Sequence, residues 1–374
     1  MKTAISIITL AMFLTATVFA GTFEKEFKIS SGKKLSINIQ TGGSIEVTGW
    51  NKNSVKVLVE YRGSKFDEEG VDFYQSSSGL DIDVSYGGHS GRGLDFFINV
   101  PEKFDIDVQT MGGNIKIVKV EGRFSGQTMG GDLSLSEVKG KVEMTTMGGD
   151  IALTQSDLDG NLSTMGGGVL FEDVVGDVNG SSMGGNVIYR NVKMRNGEWR
   201  AREKEVSIST MGGEINVDDA PMGAAVKTMG GNIEINRAKL YVRATTMGGN
   251  IDIGEIDGWI KASTMGGDVS AVMVGDPDKG ERNVEISSMG GDIELTLPAG
   301  ISADFDIRLT YTKNSSQSYK ISSDFDLKVE ESKEWEYSKG SPRKVIRGGG
   351  SVKGGKNRIK IETINGNITI RKGK

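Results

Sequence analysis

The octapeptide TMGGDLSL at residues 128–135 is one copy of a motif that recurs through the middle of the chain. Its Met-Gly-Gly core occurs ten times, always after Thr or Ser, and successive copies are 18 residues apart except for one spacing of 28 and one of 24. A fixed period of this kind is the signature of a repeat architecture. The ten methionines are Met111, Met129, Met147, Met165, Met183, Met211, Met229, Met247, Met265 and Met289.

Apolar and polar residues alternate in two short runs of each repeat. Counted from the Met as position 1, positions 5 and 7 hold pairs such as Leu133 and Leu135, and positions 14 and 16 hold pairs such as Val142 and Met144. Period-two alternation is typical of β-strands with one face turned inward, and so short a unit must stack on its neighbours to bury that face. We therefore predict an all-β fold: a parallel β-solenoid (β-helix) of about ten 18-residue rungs with irregular β caps at both ends.

The chain divides into four predicted segments. Residues 1–20 combine the basic Lys2, an apolar run and small residues at the expected cleavage point, which indicates a secretory signal peptide. We predict an N-terminal β cap with the first degenerate rungs at 21–109, the regular Met-Gly-Gly solenoid at 110–297, and a C-terminal β cap with a basic tail at 298–374. We expect export to the periplasm, cell surface or medium, and no transmembrane segment once the signal is removed.

The composition excludes several classes of function. There are 54 Gly, 5 Pro, no Cys and a single His, His89. Without Cys there is no disulfide scaffold or thiolate metal site, and one His leaves little for metal binding or Ser-His catalysis. We therefore predict a protein that is not an enzyme, with no catalytic residues, no metal site and no cofactor. From Lys339 onward, eleven basic residues face one acid, so this tail either binds an anionic surface or folds back on the acidic body.

The residues of the corner motif have structural interpretations. Because Gly reaches positive φ without steric cost, the Gly-Gly pair is expected to make the sharp corner of each rung. The Asn or Asp that usually follows is expected to form a stacked ladder that caps the turn. The alternative for that column is Ca²⁺ held by Asp132 with Asp150, or by Asp268 with Asp292, on adjacent rungs.

The methionine column is the first candidate for partner binding. Its side chains either form an outward apolar stripe, which would mark a partner surface, or tuck into the corner. The insertion in the 28-residue spacing is the second candidate, because a Trp lies there among Arg residues, which are common interface anchors; the alternative is a solvated loop. The candidate partner-binding residues are Met129, Met147, Met165, Met229, Met247, Met265, Trp199, Arg200 and Arg202.

Rungs of the form Gly-Asp/Asn-Ile-x-Ile/Leu carry a resemblance to a known family. They include GDLSL at residues 131–135 and GDIEL at 291–295, together with the rung at 363–370 and the strand at 43–50. On these motifs the chain resembles the bacterial putative-adhesin family, exported β-solenoid proteins of unknown function, over nearly all of its mature length. The resemblance implies the fold and brings no catalytic residues with it.

These observations together favour an exported, non-catalytic, adhesin-like binding or scaffold protein of the bacterial cell envelope or surface. We expect its partner to be a protein or a surface glycan, and we expect no nucleic-acid partner. The alternative is a self-assembling structural module, in which the chain associates with itself. A carbohydrate-active β-helix enzyme is less favoured, because it needs two carboxylates that converge in a cleft and a regular rod offers none.

Overall fold

The computed structural model describes most of the chain, in the ranges 20–40, 42–62, 70–85, 94–193, 206–315, 318–337 and 340–373. Within these ranges the chain forms 31 strands and no α-helix, which confirms the predicted all-β class. None of the described residues belongs to a helix long and apolar enough to cross a membrane.

The strands fall into three groups along the chain. Before the repeats lie β1 (Ala20–Phe27), β2 (Lys33–Ile39), β3 (Ile45–Trp50), β4 (Val55–Arg62), β5 (Val71–Gln75), β6 (Gly79–Val84) and β7 (Leu94–Pro101). The repeats hold β8 (Phe104–Thr110), β9 (Ile115–Val118), β10 (Glu121–Thr128), β11 (Leu133–Ser136), β12 (Lys139–Thr146), β13 (Ile151–Thr154), β14 (Asp157–Thr164), β15 (Val169–Glu172), β16 (Val178–Ser182), β17 (Val187–Arg190), β18 (Val206–Ser209), β19 (Ile215–Ala220), β20 (Ala224–Lys227), β21 (Ile233–Thr245), β22 (Ile251–Thr264), β23 (Val269–Met273), β24 (Val284–Ser288) and β25 (Ile293–Pro298). After them come β26 (Ala303–Thr312), β27 (Ile321–Ser323), β28 (Lys328–Glu331), β29 (Arg343–Val352), β30 (Asn357–Ile364) and β31 (Ile368–Gly373).

Each strand of the repeat region, β8 to β25, pairs in parallel with the equivalent strand of the next repeat. β10 pairs with β12, and β11 with β13, so that every partner is 18 residues further along the chain, as in Thr128↔Thr146 and Leu133↔Ile151. The strands form two columns, and both continue past the insertions, where β16 pairs with β18 and β22 with β24. A given repeat position therefore forms a line along the stack, with about 4.8 Å between neighbours.

The inward residues of both columns form one continuous hydrophobic core. Large and small side chains complement one another along it. A Cβ on Gly180 would lie 3.0 Å from the ring of Phe171, so a side chain there has no room. The buried hydroxyl of Tyr189 instead reaches this position and accepts a hydrogen bond from the Gly180 N–H at 2.6 Å. Burial raises the pKa of Tyr189, so the hydroxyl keeps its proton at ordinary pH.

At both ends, the order of the strands in space differs from their order in the chain. β2 and β3 pair in parallel with β8 and β9 on one side and with β6 and β7 on the other. At the opposite end, β30 and β31 lie between β24 and β25 on one side and β26 and β27 on the other. The rung-like motifs at 43–50 and 363–370 therefore lie one layer inside the two ends of the stack.

Antiparallel strands extend these outer layers. β4 pairs with β1 and β7, β5 pairs with β6, and β29 pairs with β26 and β28. The sheet as a whole is therefore of mixed orientation, which corrects the prediction of a parallel solenoid for the chain as a whole. The physical reason is that these strands lie in the outermost layers, where they cover strand edges that would otherwise attract other chains. Among these pairs, only β5 and β6, joined by residues 76–78, form a tight hairpin.

The basic tail takes part in the sheet as β29 to β31. Arg358 pairs with Asp306 and Arg371 with Glu294, both at 3.2 Å. Such exposed ion pairs add little, so the tail is held mainly by strand pairing and by its buried side chains, which include Ile359, Ile361, Ile368 and Ile370. Of the two alternatives for this segment, residues 340–373 fold back on the body of the protein.

Candidate functional site

The Thr or Ser that precedes each methionine is buried and joins two repeats. The Thr146 hydroxyl donates at 2.7 Å to the carbonyl oxygen of Gly131, in the preceding Met-Gly-Gly motif, and it accepts at 3.2 Å from the N–H of Gly149, in the motif that it directly precedes. Since this side chain turns inward, the next residue along an extended chain turns outward. The same pair of hydrogen bonds is made by Thr128, Thr164, Ser182, Thr210, Thr228, Thr246, Thr264 and Ser288.

The two glycines of the motif differ in how closely they approach the preceding repeat. A Cβ on the second glycine, Gly149, would lie 2.1 Å from the backbone oxygen of Gly131, a separation that no side chain tolerates. A Cβ on the first glycine, Gly148, would have its nearest neighbour, the oxygen of Met129, at 3.5 Å, an ordinary contact. The second glycine is therefore required by close backbone packing between repeats.

The prediction that the glycine pair bends the chain through positive φ is wrong. Among the described residues, none of the Met-Gly-Gly glycines has φ in the left-handed region. Left-handed residues lie instead at position 9 of five repeats, at the opposite corner, and none of them is Gly. They are Lys119, Glu137, Gln155, Asp173 and Asn191, with φ between 48° and 59°.

All ten methionines of the motif face solvent. Their exposed fractions run from 43% at Met229 to 56% at Met289, whereas Met144 and Met273, at other repeat positions, are buried. Backbone hydrogen bonds align the column: the Gly148 N–H donates to the Met129 oxygen at 3.0 Å. Of the two alternatives, outward stripe or corner packing, the side chains adopt the first.

The column is unbroken across the 28-residue spacing. The Gly212 N–H donates to the Met183 oxygen at 3.0 Å, just as in the regular repeats. Ten methionines at about 4.8 Å intervals make a stripe about 43 Å long. We call this stripe, from Met111 to Met289, the methionine column.

A groove of about 590 Å³ runs beside the middle of this column. Small hydroxyl side chains one residue before the buried Thr or Ser line it together with the methionines, so it presents thioethers and hydroxyls. Lys227 supplies the one charged side chain among its lining residues. They are Thr145, Thr146, Met147, Ser163, Thr164, Met165, Ser181, Ser182, Met183, Ser209, Thr210, Met211, Lys227 and Met229.

The Asn and Asp residues that follow the glycine pair form the expected ladder. In most steps a side-chain oxygen accepts from the backbone N–H of the equivalent residue in the next repeat: Asp132 accepts from Asp150 at 2.8 Å and Asp268 from Asp292 at 2.7 Å. Gly168 has no side chain to take part, and at Glu214 the carboxylate accepts from the Asn232 side-chain amide instead. The oxygens proposed as calcium ligands are thus backbone acceptors. Among the described residues, no group of three or more His, Cys, Asp or Glu side chains is placed to hold a metal ion.

A second concave surface, of about 360 Å³, lies on the outer face of β22, β24 and β30. Trp259 lines it, together with Asn283, directly before β24, and Arg358 of β30, which continue the same repeat position. Tyr241 stacks on Trp259 with ring centroids 5.1 Å apart. This site was not predicted from the sequence, although the 18-residue separation of Tyr241 and Trp259 places them at one repeat position.

The other predicted binding residues fall outside the part of the chain that the structure describes. Trp199, Arg200 and Arg202 lie in the interval 194–205, and His89 lies in 86–93. Residues 1–19 of the predicted signal peptide are also outside it. The interface hypothesis for the insertion and the export hypothesis therefore stay predictions.

Comparison with known proteins found no matching family model and no matching curated protein. Among solved structures, the chain is similar to a putative cell adhesion protein from Clostridium sporogenes, at 10% identity, with 94% of this chain and 100% of that chain covered and a TM-score of 0.19. It is similar to a putative adhesin from Parabacteroides distasonis (11% identity, 74% and 97% covered, TM-score 0.35) and to a putative lipid binding protein from that species (12%, 93% and 96%, 0.25). Two of these three neighbours are described as adhesion proteins, the class that the rung motifs resemble.

Proposed function

We propose that this protein is an exported, non-catalytic binding protein of the bacterial cell envelope or surface, and that the methionine column is its main binding face. In this proposal the repeat region is a parallel β-solenoid, and the segments 21–109 and 298–374 are its caps. The observation that carries the proposal is the exposure of all ten column methionines, between 43% and 56%, in one continuous line. Contiguous apolar surface of this extent marks sites of interaction.

The chemistry of the column suits a binding role. Methionine is unbranched and polarizable, so it adapts to partners of different shape. The backbone beneath it is rigid, because each repeat is bonded to the next through the buried hydroxyls and through N–H groups such as that of Gly148. Because the backbone is already ordered, it loses little further order when a partner binds the side chains. The insertion with Trp199, Arg200 and Arg202 is a second proposed anchor in the same chain.

Binding of the secreted chain to an envelope fraction of the producing bacterium tests the proposal. We expect the wild-type chain to sediment with the fraction and the variant M147Q/M165Q/M183Q to bind at least several-fold less, because three adjacent apolar contacts become polar. The control E143Q/N161Q changes exposed residues on β12 and β14, the strands that lead directly to Met147 and Met165, and should bind as the wild type does. Equal binding by the methionine variant would show that the column is not the binding face.

The solution mass distinguishes binding from self-assembly. An exposed line of identical side chains at a constant spacing can also pair with a second copy of itself, so the column is compatible with a structural module. We expect a monomer at micromolar concentration by analytical ultracentrifugation. A large assembly that the substitution M147Q/M165Q/M183Q returns to monomer would replace the proposed function with self-assembly.

The export hypothesis has its own test. If residues 1–20 are a cleaved signal, the protein recovered outside the cytoplasm begins at Gly21. N-terminal sequencing or intact mass of the secreted protein measures this directly. Recovery of the chain with Met1 intact, in the cytoplasm alone, would contradict export.

A further inference from the structure

The ten repeats differ in how strictly they keep each residue. Position 5 varies among Ile, Leu and Val, and position 7 also accepts Phe, Tyr and Ala, although both face the core. Position 1 is Met in all ten repeats, although it faces solvent, where packing constrains a side chain least. Close backbone packing explains the second glycine of the motif, but it does not explain why the exposed methionine is also kept in all ten repeats.

Apolar character does not explain it either. In the last rung Ile364 follows Thr363 at the place of the methionine, in register with the repeat of Met289 because Thr363 pairs with Ser288. The corner thus accepts a branched aliphatic residue. What the ten methionines share, and Ile364 lacks, is a thioether sulfur.

The geometry lets neighbouring sulfurs act together. Successive methionines start about 4.8 Å apart on a hydrogen-bonded backbone, and each side chain has three rotatable bonds. Two or three thioethers from consecutive repeats can therefore converge on one ion without movement of the backbone. The column methionines are about half exposed, so their side chains are free to change rotamer and bring their sulfurs together.

Thioethers select a particular class of ion. They are soft, neutral ligands that favour Cu(I) over hard cations such as Mg²⁺ and Ca²⁺, which prefer oxygen. Exposed carboxylates of the neighbouring ladder, such as Asp132 and Asp150, lie three residues from a methionine on the same repeats. They attract a cation to this edge of the stack without competing as soft ligands.

We propose that the methionine column is a binding site for Cu(I), with each ion held by the sulfurs of two or three consecutive methionines. The residues that line the groove, from Met147 to Met229, are the central part of this site. Binding requires no change of oxidation state, since the ion enters and leaves as Cu(I). The inference uses the same surface as the proposed function and does not depend on it.

The test is an anaerobic titration of the full secreted chain with Cu(I) in competition with the chromophoric chelator bicinchoninate. We expect the wild type to withdraw several equivalents of copper, and X-ray absorption at the copper edge to show sulfur ligands. The variant M147L/M165L/M183L/M211L/M229L should bind about half as much, because five of the ten thioethers are replaced by side chains without sulfur.

Leucine keeps the column apolar, so the two proposals fail separately. If the column binds both a partner and copper, the leucine variant binds about half of the copper and keeps envelope binding, whereas M147Q/M165Q/M183Q loses part of the copper and most of the envelope binding. The matched control M144L/M273L replaces buried methionines outside the column and should bind copper as the wild type does. Failure of the wild type to compete with bicinchoninate, or undiminished binding by the leucine variant, would overturn the copper site.

Discussion

The Met-Gly-Gly corner and the opposite corner at position 9 turn the chain by different means. At the first, the backbone of one repeat lies against that of the next, with the second glycine in contact with a carbonyl oxygen and a buried hydroxyl bonded to both repeats. At the second, an exposed polar residue such as Gln155 adopts left-handed φ. The first corner depends on contact between repeats, whereas the second depends on local backbone conformation. Substitutions should therefore change the free energy of unfolding strongly at the Met-Gly-Gly corner and only slightly at the position 9 corner.

The largest effect is expected from Gly149→Ala. The added methyl would lie 2.1 Å from the Gly131 oxygen, so two hydrogen-bonded repeats must move apart. We expect a loss of about 3 kcal/mol or more, measured by urea unfolding. The adjacent Gly148→Ala is the control, with its nearest contact at 3.5 Å and an expected change of less than about 0.5 kcal/mol. Equal effects of the two substitutions would contradict the close-packing account of this corner.

Thr146→Val should cause the next largest loss of stability. Valine has the shape of threonine but leaves the Gly131 carbonyl and the Gly149 N–H without their buried partner. We expect a loss of about 2 kcal/mol in the free energy of unfolding. Thr146→Ser is the control, because Ser182 makes the same two hydrogen bonds in its own repeat. A valine variant as stable as the serine variant would mean that the hydroxyl does not join the repeats.

At the opposite corner, Gln155→Gly should stabilise the protein. Gln155 has φ of 48° and is exposed, so glycine removes the strain of the left-handed conformation and loses few contacts. We expect a gain of up to about 1 kcal/mol by thermal or urea unfolding. Gln155→Ala keeps the Cβ and should show no gain. A destabilised glycine variant would show that the Gln side chain, and not its φ, determines this corner.

The smallest effect is expected away from both corners, on the flat strand face. The hydrogen bond from Lys261 to Glu285, at 2.9 Å, is the main cause that holds the pKa of Glu285 below its ordinary value of 4.5. A lowered carboxyl pKa contributes stability above that ordinary value, and the contribution is lost as the pH falls through the lowered pKa. The melting temperature of Glu285→Gln should therefore lie slightly below that of the wild type at pH 7 and converge with it in acid. A difference that persists or grows in acid would contradict this assignment.

Part of the candidate site could be predicted from the sequence. The column of methionines follows from the 18-residue period alone, since equivalent residues of stacked repeats must align. Its direction could not be predicted, because a bend at the methionine would have turned the side chain into the corner. The hydrogen bond from the Thr146 hydroxyl to Gly131 turns Thr146 inward and so settles the direction, and it joins two successive Met-Gly-Gly corners that meet only in the folded stack.

The second concave surface, beside Trp259, could not be predicted from the sequence for a different reason. Trp259 and Arg358 are 99 residues apart, and they share a surface because β24 lies between β22 and β30. That order depends on the return of the tail past β26 to β29, which no local pattern records. The left-handed residues of position 9 were missed for the opposite reason. They are polar residues of several types, and nothing in Lys, Glu, Gln, Asp or Asn at an exposed site distinguishes a turn from a strand.

Two kinds of information thus specify this protein. Period-two alternation and the 18-residue repeat specify the strands, their inward faces and the alignment of the methionines, because these depend on side-chain direction along a single extended chain. The spatial order of β2, β3, β30 and β31, the exposure of the methionines and the need for the second glycine depend on which backbone lies 4.8 Å away, on average, in the assembled stack. Contact between repeats exists only after folding, so only the tertiary structure could decide them.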